Sequence, residues 1–364
     1  MTANDPALQV VIDRVASAIA AGVQLNICGG GTKAFYGEVP QGEPLDTREL
    51  EGISSYEPSE LVVTARCGTS LAALERTLAE HGQCLAFEPP QFGPGSTVGG
   101  MVACGLSGPS RAAAGSLRDH LLGATILSGR NEVLTFGGQV MKNVAGYDVS
   151  RLMAGAMGIL GVILEVSLKV VPIAPATATL RFQMEQAEAL ARLNQWNGQA
   201  LPLNASAWWD GTLVVRLRGA LAAVQAAKNN LGGEALDADL ANVFWTGLRN
   251  HSDEYFVRAL DEVHAGGALW RLSVPQTAAA LDLAGQQLIE WGGAQRWLRS
   301  AMPAGRVRDA AERAGGHATL FRSRSKESGA FAPLRAPLDR IHRDLKKSFD
   351  PSGLFNPGRL YPGL

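Results

Sequence analysis

Glycine-rich loops are the part of this sequence whose residue types and spacing point most directly to chemistry. Between Gly93 and Gly161 lie 15 of the 42 glycines in the chain, about twice the share expected from an even spread. A residue without Cβ admits positive φ and lets main-chain N–H groups approach a ligand, so several amides can converge on one anion. The loop Pro94–Gly100 therefore predicts a phosphate or pyrophosphate site.

A second loop of the same kind occurs earlier in the chain. A predicted strand, Val23–Ile27, runs directly into Gly29–Lys33, which reads Gly-Gly-Gly-Thr-Lys. A glycine turn at the end of a strand, with a hydroxyl group and a cation beside it, is typical of an anion-binding loop. A glycine triplet alone is more often a plain turn. The prediction of a pyrophosphate site therefore rests on the two loops together.

Composition excludes several classes of function. Of the 364 residues, 46% are hydrophobic and the formal net charge is −1, so the chain lacks a field that would attract nucleic acid. The first residues have no basic segment before an apolar run, and no apolar run is long enough to span a membrane. The four cysteines form no CxxC pair, which favours a reducing compartment and predicts neither a metal site nor an iron–sulfur cluster. We therefore expect a cytoplasmic protein.

Local patterns place the first loops on α/β units. Asp5 before Pro6 and Gly22 after an apolar stripe predict an opening helix. A strand near residues 61–65 and a helix bearing Leu71, Leu74 and Leu78 follow. Two β segments around residues 129–131 predict a hairpin. This half of the chain is predicted to hold two subdomains, at about 1–58 and 59–172.

Strand and helix patterns alternate after Pro172. They include a predicted helix over Thr277–Trp291 and indicate ferredoxin-like α/β units in a cap domain over residues 173–330. A last helix near Leu338–Phe349 leads into a Pro/Gly-rich tail. Such an irregular tail must lean on another surface. We therefore expect residues 331–364 to pack back on the N-terminal domain, 1–172.

The ordered set of motifs resembles the vanillyl-alcohol-oxidase type of FAD-binding proteins, whose FAD domain is called PCMH-type. Besides the two glycine loops, the resemblance rests on segments 115–119, 142–148, 158–163 and 349–358. It extends over nearly the whole chain. Segments 142–148 and 316–322, with the short cap, are most similar to the flavin subunits of bacterial glycolate oxidases. The resemblance implies an α+β fold in which FAD lies between two subdomains and its ring faces the cap.

Carried onto this sequence, the resemblance implies a set of FAD contacts. The first pyrophosphate loop would comprise Gly29, Gly30, Gly31, Thr32 and Lys33. The second would comprise Pro94, Gly95, Ser96, Thr97, Val98, Gly99 and Gly100. The adenine and ribose side would contact Gly158, Gly161, Val162 and Ile163. Further contacts near the flavin or diphosphate would come from Ser107, Gly108, Arg111 and Asn356.

The sequence also departs from the family pattern. The first loop lacks the histidine that carries covalent flavin in some members, so FAD is expected to bind non-covalently. Oxidation of a hydroxy acid requires a base for the hydroxyl proton and a cation for the carboxylate. His317, with Arg322 or Arg271, could supply them and is the predicted catalytic set. His317 also fits a purely structural role, because the six histidines form no cluster in the sequence.

The resemblance implies an FAD-binding subunit of a glycolate oxidase or dehydrogenase complex, which contributes to oxidation of glycolate, a 2-hydroxy acid, to glyoxylate. Its partners would be a second FAD-binding catalytic subunit and an iron–sulfur subunit. Contact with the inner membrane would come only through these partners. Two alternatives stay open: a self-sufficient FAD-dependent 2-hydroxy-acid dehydrogenase, and a non-catalytic subunit that relays electrons or supports assembly.

Overall fold

The computed structural model describes residues 5–138 and 148–364. The helices among these residues are α1 Pro6–Ala21, α2 Leu71–Glu80, α3 Val98–Cys104, α4 Arg111–Ala114, α5 Leu117–His120, α6 Gln186–Asn197, α7 Leu221–Leu231, α8 Ala238–Asn250, α9 Glu254–His264, α10 Ala304–Arg313 and α11 Leu338–Phe349. The strands are β1 Leu25–Cys28, β2 Glu43–Asp46, β3 Ile53–Glu57, β4 Val62–Arg66, β5 Gln83–Cys84, β6 Leu121–Leu127, β7 Val133–Gly137, β8 Val162–Lys169, β9 Val171–Pro172, β10 Ala176–Gln183, β11 Leu203–Trp209, β12 Thr212–Gly219, β13 Glu234–Ala235, β14 Ala268–Ser273, β15 Gln286–Glu290, β16 Gln295–Ser300 and β17 His317–Ser323.

The opening helix begins and ends where the sequence predicts. The Asp5 carboxylate accepts hydrogen bonds from the N–H groups of Ala7 and Leu8 at 3.1 and 3.3 Å, which satisfies two N–H groups that lack partners within the helix. Gly22 closes the helix at φ +65°, a left-handed conformation that glycine adopts without steric cost. Strand β1 then pairs in parallel with β2 and leads into the first glycine loop.

The second layer is an antiparallel sheet of five strands in the order β3-β4-β8-β6-β7. Strands β6 and β7 pair through Ala124 and Phe136, so the predicted hairpin is confirmed. Helix α2 buries Leu71, Leu74 and Leu78 completely in the same core. Each such burial contributes about 1.5–3 kcal/mol. We call the region from α1 to β9 the N-terminal lobe.

The region from β10 to β17, which we call the cap, forms one sheet of eight strands. Their order is β13-β10-β12-β11-β15-β16-β14-β17. When the strands of each half are numbered along the chain, the first four read 4-1-3-2 and the last four read 2-3-1-4, the same ferredoxin-like order in reverse. The cap therefore consists of two halves with the ferredoxin-like strand order, joined where β11 pairs with β15. The second half lacks the helix between its first two strands. The ferredoxin-like prediction is confirmed.

One predicted helix of the cap is wrong. Residues 277–285, predicted as the start of a helix, are irregular, and residues 286–290 form strand β15. Gly285 at φ +130° precedes the strand, and β15 then pairs with both β11 and β16. The fully buried Arg296 side chain fixes the irregular segment by donating to the carbonyl oxygens of Ala278 and Ala279, both at 2.6 Å.

Charged groups hold the cap against the N-terminal lobe. The Glu88 carboxylate accepts from Arg216 at 2.7 Å and from Arg218 at 3.1 Å, and Glu75 pairs with Arg249 of α8. Burial raises the pKa of Glu88, but Arg216, Arg218 and the N–H group of Ser110 together outweigh burial, so the pKa is lowered. The Trp291 indole also donates to the Gly108 carbonyl oxygen at 3.0 Å.

The C-terminal segment returns to the N-terminal lobe, as the sequence predicts. The N–H group of Leu25 in β1 donates to the Leu354 carbonyl oxygen, and the N–H group of Asn356 donates to that of Leu25, both at 2.8 Å. Lys346 on α11 and Asp350 form a buried ion pair at 2.6 Å. The tail thus extends the edge of the layer that carries the first glycine loop.

Candidate functional site

A cleft of about 850 Å³, partly open to solvent, lies in the N-terminal lobe. Loop 29–33 after β1, the start of α3, residues 157–163 and the tail residues Asn356 and Arg359 line it. The structure therefore brings together the first glycine loop, part of the second, and the region before β8.

The first glycine loop offers a row of main-chain donors. No described residue accepts a hydrogen bond from the N–H groups of residues 29–33. Five successive N–H groups beside a cleft, with no acceptor among the described residues, can converge on an anion. Gly30 also touches the second loop, because a Cβ built on it would lie 1.4 Å from the Gly95 carbonyl oxygen. The two loops are therefore in direct contact.

Lys33 places a cation at this loop. Its ammonium is buried and donates to Ser96 Oγ at 2.6 Å and to the Gln91 carbonyl oxygen at 3.3 Å. Within the described ranges no carboxylate pairs with it. Burial lowers the pKa of Lys33 to about 8, so most of its charge is still present at neutral pH. The loop and this lysine together suit a pyrophosphate.

The second loop contributes shape more than donors. The N–H groups of Val98, Gly99 and Gly100 already donate to Thr69 O at 2.9 Å, Cys67 O at 2.7 Å and Thr97 Oγ1 at 3.2 Å. Thr97, Gly99 and Gly100 line the cleft, whereas Pro94, Gly95, Ser96 and Val98 do not. Gly99 is needed for packing, because its Cβ would lie 2.7 Å from that of Cys67.

Two further glycines and the tail asparagine close the other end of the cleft. Gly158 has φ +76°, and a Cβ there would lie 2.5 Å from Asn356 Nδ2. Asn356 donates to the Met157 carbonyl oxygen at 2.6 Å and accepts from the Ile27 N–H at 2.7 Å. Its amide therefore fixes β1 relative to residues 157–158. Gly161 and Ile163 also line the cleft, while Val162 does not.

The structure places three predicted FAD contacts elsewhere. Ser107 and Gly108 line a second, smaller cavity of about 290 Å³ between the N-terminal lobe and the cap. Arg111 lies over the Trp291 ring at 4.6 Å. None of the three lines the large cleft. Of the motif Lys142–Asp148, only Asp148 lies within the described residues.

The predicted catalytic residues stand at opposite ends of one strand. His317 begins β17 and Arg322 lies five residues further, about 16 Å along an extended chain. Neither residue lines the large cleft or the smaller cavity. The Arg322 guanidinium lies 3.3 Å over the Phe35 ring, and burial lowers its pKa to about 10. The structure therefore does not bring His317 and Arg322 together, and their catalytic role stays a prediction.

Sequence reasoning missed several residues that line the two cavities. Cys28, Cys67 and Cys104 line the large cleft, although their spacing shows no motif. His251 and Glu290 line the smaller cavity together with Arg271. No local pattern marks His251, because α8, α9 and the cap strands come together only in the folded chain.

Comparisons with known proteins agree with this geometry. A family model described as an FAD binding domain matches residues 8–137. The glycolate oxidase subunit GlcE of Escherichia coli (strain K12) is 46% identical over 356 residues, which is 98% of each chain. The chain belongs to the family of this subunit. It is an FAD-binding protein with a PCMH-type fold.

More distant relatives match only in part. The glycolate oxidase subunit GlcD of Bacillus subtilis (strain 168) is 29% identical over 168 residues, 46% of this chain and 34% of that protein. Among solved structures, an alkyldihydroxyacetonephosphate synthase has a TM-score of 0.67 at 16% identity, covering 96% of this chain and 74% of the other. This likeness supports the fold. No helix in the described ranges is long and apolar enough to cross a membrane.

Proposed function

We propose that this chain is the FAD-binding subunit of a glycolate oxidase or dehydrogenase complex and contributes to the two-electron oxidation of glycolate to glyoxylate. The observation that carries this proposal is the row of unpaired N–H donors in residues 29–33. It occurs in a chain that matches the glycolate oxidase subunit GlcE over nearly its whole length. Fold alone does not assign a reaction, so the function rests on both observations.

The residues of the cleft fit FAD by their chemistry. The N–H groups of residues 29–33 and the Lys33 ammonium would bind the pyrophosphate, because both supply positive charge without a competing carboxylate. Gly158, Gly161 and Ile163 would face the adenosine half, and Asn356 would hold that wall in place. When bound, FAD supplies the hydride acceptor of the reaction. The chain itself supplies binding, orientation and charge.

We further propose that FAD is bound non-covalently. No histidine lines the cleft in the part of the chain that the structure describes. Burial raises the pKa of the Cys28 and Cys104 thiols, and raises that of Cys67 to about 12. Protonated thiols are poor nucleophiles, so a covalent bond to the flavin is disfavoured.

Acid precipitation is expected to release the flavin. After precipitation of the purified protein with trichloroacetic acid, nearly all flavin absorbance should be in the supernatant, because no covalent bond retains it. The precipitate, dissolved and separated on a denaturing gel, should show no flavin fluorescence at the position of the chain. Fluorescence that migrates with the chain would contradict the proposal.

The electrons are proposed to pass to partner subunits, a second FAD-binding catalytic subunit and an iron–sulfur subunit. Support comes from the name of the GlcE relative, which is itself a subunit of an oxidase. Contact with the inner membrane would then come through these partners. Co-purification of the tagged chain from its own cells tests this, with flavin and iron counted per complex.

Anaerobic visible spectroscopy tests the proposed function directly. We expect the purified chain to show an oxidised flavin spectrum, and the assembled complex to be bleached by glycolate more strongly than by D-lactate. A chain that binds no FAD would overturn the proposal, since every step assigned to it depends on the cofactor. A complex that glycolate cannot bleach would contradict the substrate assignment while leaving FAD binding intact.

A further inference from the structure

Arg359, in the C-terminal tail, places a buried cation in the wall of the large cleft. The residue is 6% exposed and lines the cleft. Its Nη2 donates to the Ala34 carbonyl oxygen at 2.8 Å, but its buried Nη1 has no hydrogen-bond partner among the described residues. Buried polar atoms are nearly always paired. The protein therefore satisfies only part of this guanidinium.

The charge of Arg359 also lacks a counter-ion. Within residues 5–138 and 148–364, no carboxylate lies within ion-pair distance of its guanidinium. Burial lowers the pKa of Arg359, while Cys104, Glu38 and Cys28 raise it by smaller amounts. Glu38, the one carboxylate among these groups, accepts a hydrogen bond from the Ala330 N–H group instead. Because arginine stays protonated in proteins, a positive charge without a paired acid borders the cleft.

Arg359 lies at the end of the cleft that is next to the cap. A Cβ built on Gly37 would lie 3.6 Å from Arg359 Nη1 and 2.9 Å from Met157 Cε, so both groups border Gly37. Met157 and Cys104 line the cleft, and both pack in the apolar cluster that contains Phe321 of the cap. This end of the cleft is therefore built where the two parts of the molecule meet.

The other end of the cleft is built from the core of the N-terminal lobe. Cys67 and Ile163 line the cleft and belong to a core cluster whose described members come from that lobe and the tail. The adenosine half of FAD is assigned to this wall, and the pyrophosphate is assigned to loop 29–33. The flavin half is then left with the end that holds Ala34 and Arg359.

We propose that Arg359 lies beside the flavin ring of bound FAD and stabilises the negative charge that the ring gains on reduction. The proposal rests on the function proposed above. When glycolate is oxidised, its hydroxyl proton is released and its C–H bond breaks, so that a hydride, with two electrons, passes to the flavin. The ring is neutral before this step and carries one negative charge after it. A fixed cation beside the ring favours the reduced form over the oxidised form, because opposite charges attract strongly in a buried site.

Arg359→Met tests this charge, since methionine keeps an unbranched side chain but is uncharged. We expect the reduced form of FAD to lose at least tenfold more affinity than the oxidised form. The midpoint potential of the bound flavin should then fall by about 30 mV or more, because tenfold in a two-electron equilibrium corresponds to about 30 mV. Anaerobic redox titration of the purified holoprotein measures this potential. Fluorescence titration measures the dissociation of oxidised FAD.

Three variants provide controls. Arg359→Lys keeps the charge, so the ratio of the two affinities should change less than threefold. Lys33→Met removes the other buried cation of the cleft, which is assigned to the pyrophosphate. Because the pyrophosphate has the same charge in both redox states, Lys33→Met should weaken both forms of FAD equally and leave the potential unchanged. Arg340→Met, at an exposed position of α11, should match wild type in both measurements.

The two measurements distinguish this role from others. A midpoint potential that is unchanged in Arg359→Met would overturn the proposal and leave the proposed function standing. If FAD binding were also weaker in that variant, Arg359 would belong to the pyrophosphate site instead. A fall in Arg359→Lys as large as in Arg359→Met would mean that shape sets the potential and not charge, and would also contradict the proposal.

Loss of FAD from Arg359→Met is covered by a further variant. Arg359→Gln is also neutral, but its amide can still donate to the Ala34 carbonyl oxygen, and its potential should fall as that of Arg359→Met. Loss of FAD from both neutral variants would mean that Arg359 holds the oxidised cofactor, which would overturn a role specific to the reduced ring. A wild-type chain without FAD would overturn the proposed function itself.

Discussion

Replacing Gly30 with alanine is expected to abolish FAD retention. The new methyl carbon would lie 1.4 Å from the Gly95 carbonyl oxygen, closer than any non-bonded contact allows. Because the neighbour is backbone, no side-chain rotation can relieve the clash. The two glycine loops must then separate, and the row of N–H donors in residues 29–33 loses its geometry. We expect less than about a tenth of the wild-type flavin content after gel filtration.

Two other glycines provide the controls. A Cβ on Gly95 would lie 3.3 Å from the Gly30 carbonyl oxygen, and a Cβ on Gly305 in α10 would meet nothing within 4 Å. Gly95→Ala should therefore retain much of its flavin and Gly305→Ala all of it. Circular dichroism of Gly30→Ala checks that the sheets remain folded. Full flavin content in Gly30→Ala would disprove the loop contact.

Replacing Asp350 with alanine is expected to lower the free energy of unfolding by about 3–5 kcal/mol, the usual cost of breaking a buried ion pair from one side. Its carboxylate accepts from the Lys346 ammonium at 2.6 Å and from the N–H groups of Leu354 and Phe355 at 2.9 and 2.8 Å. All three donors are buried. The substitution would leave the charge of Lys346 with only carbonyl oxygens around it.

The same helix supplies a matched control. Asp339 and Arg343 form an ion pair with the same i,i+4 spacing, at 3.1 Å, but both side chains are exposed. Solvent screens such pairs, so Asp339→Ala should shift the midpoint of urea unfolding far less than Asp350→Ala. Equal shifts in the two variants would mean that burial of the Lys346–Asp350 pair adds nothing to stability.

Features set by nearby residues could be predicted from the sequence. Asp5 and Gly22 fix the ends of α1 because an N-cap carboxylate and a left-handed glycine act within a few residues. The glycine loop after β1 follows from a strand that ends in a glycine triplet. Hairpin β6–β7 likewise depends on a short turn between two alternating segments. These signals depend on neighbouring residues only, and the elements that they predict are present in the structure.

Features set by residues that are distant in the sequence could not be predicted in this way. Leu281, Leu288 and Ile289 fit a helical stripe, yet residues 286–290 gain more by pairing with β11 and β16 on both sides. Helices α8 and α9 went unpredicted. Leu240 and Val243 of α8 are apolar but exposed. The apolar residues of this helix therefore do not define a single buried face in the sequence. Tertiary pairing and packing decide such segments, and the sequence alone does not display them.

The candidate site likewise combines features that the sequence predicts with features that depend on the folded chain. Glycine loops are visible in the sequence, but whether their N–H groups are free depends on remote carbonyl groups. The carbonyl oxygens of Thr69 and Cys67 accept from the N–H groups of Val98 and Gly99. No carbonyl oxygen of the described residues accepts from the N–H groups of residues 29–33. The smaller cavity depends even more on tertiary structure, since His251, Arg271 and Glu290 come from three elements.

The attachment of the cap has a consequence for motion within the molecule. The cap and the N-terminal lobe are held together by the ion pairs of Glu88 with Arg216 and Arg218, by that of Glu75 with Arg249, and by the hydrogen bond from the Trp291 indole to the Gly108 carbonyl oxygen. A hinge rotation that opened this seam would have to break these links together. We therefore expect the cap and the N-terminal lobe to move as one body.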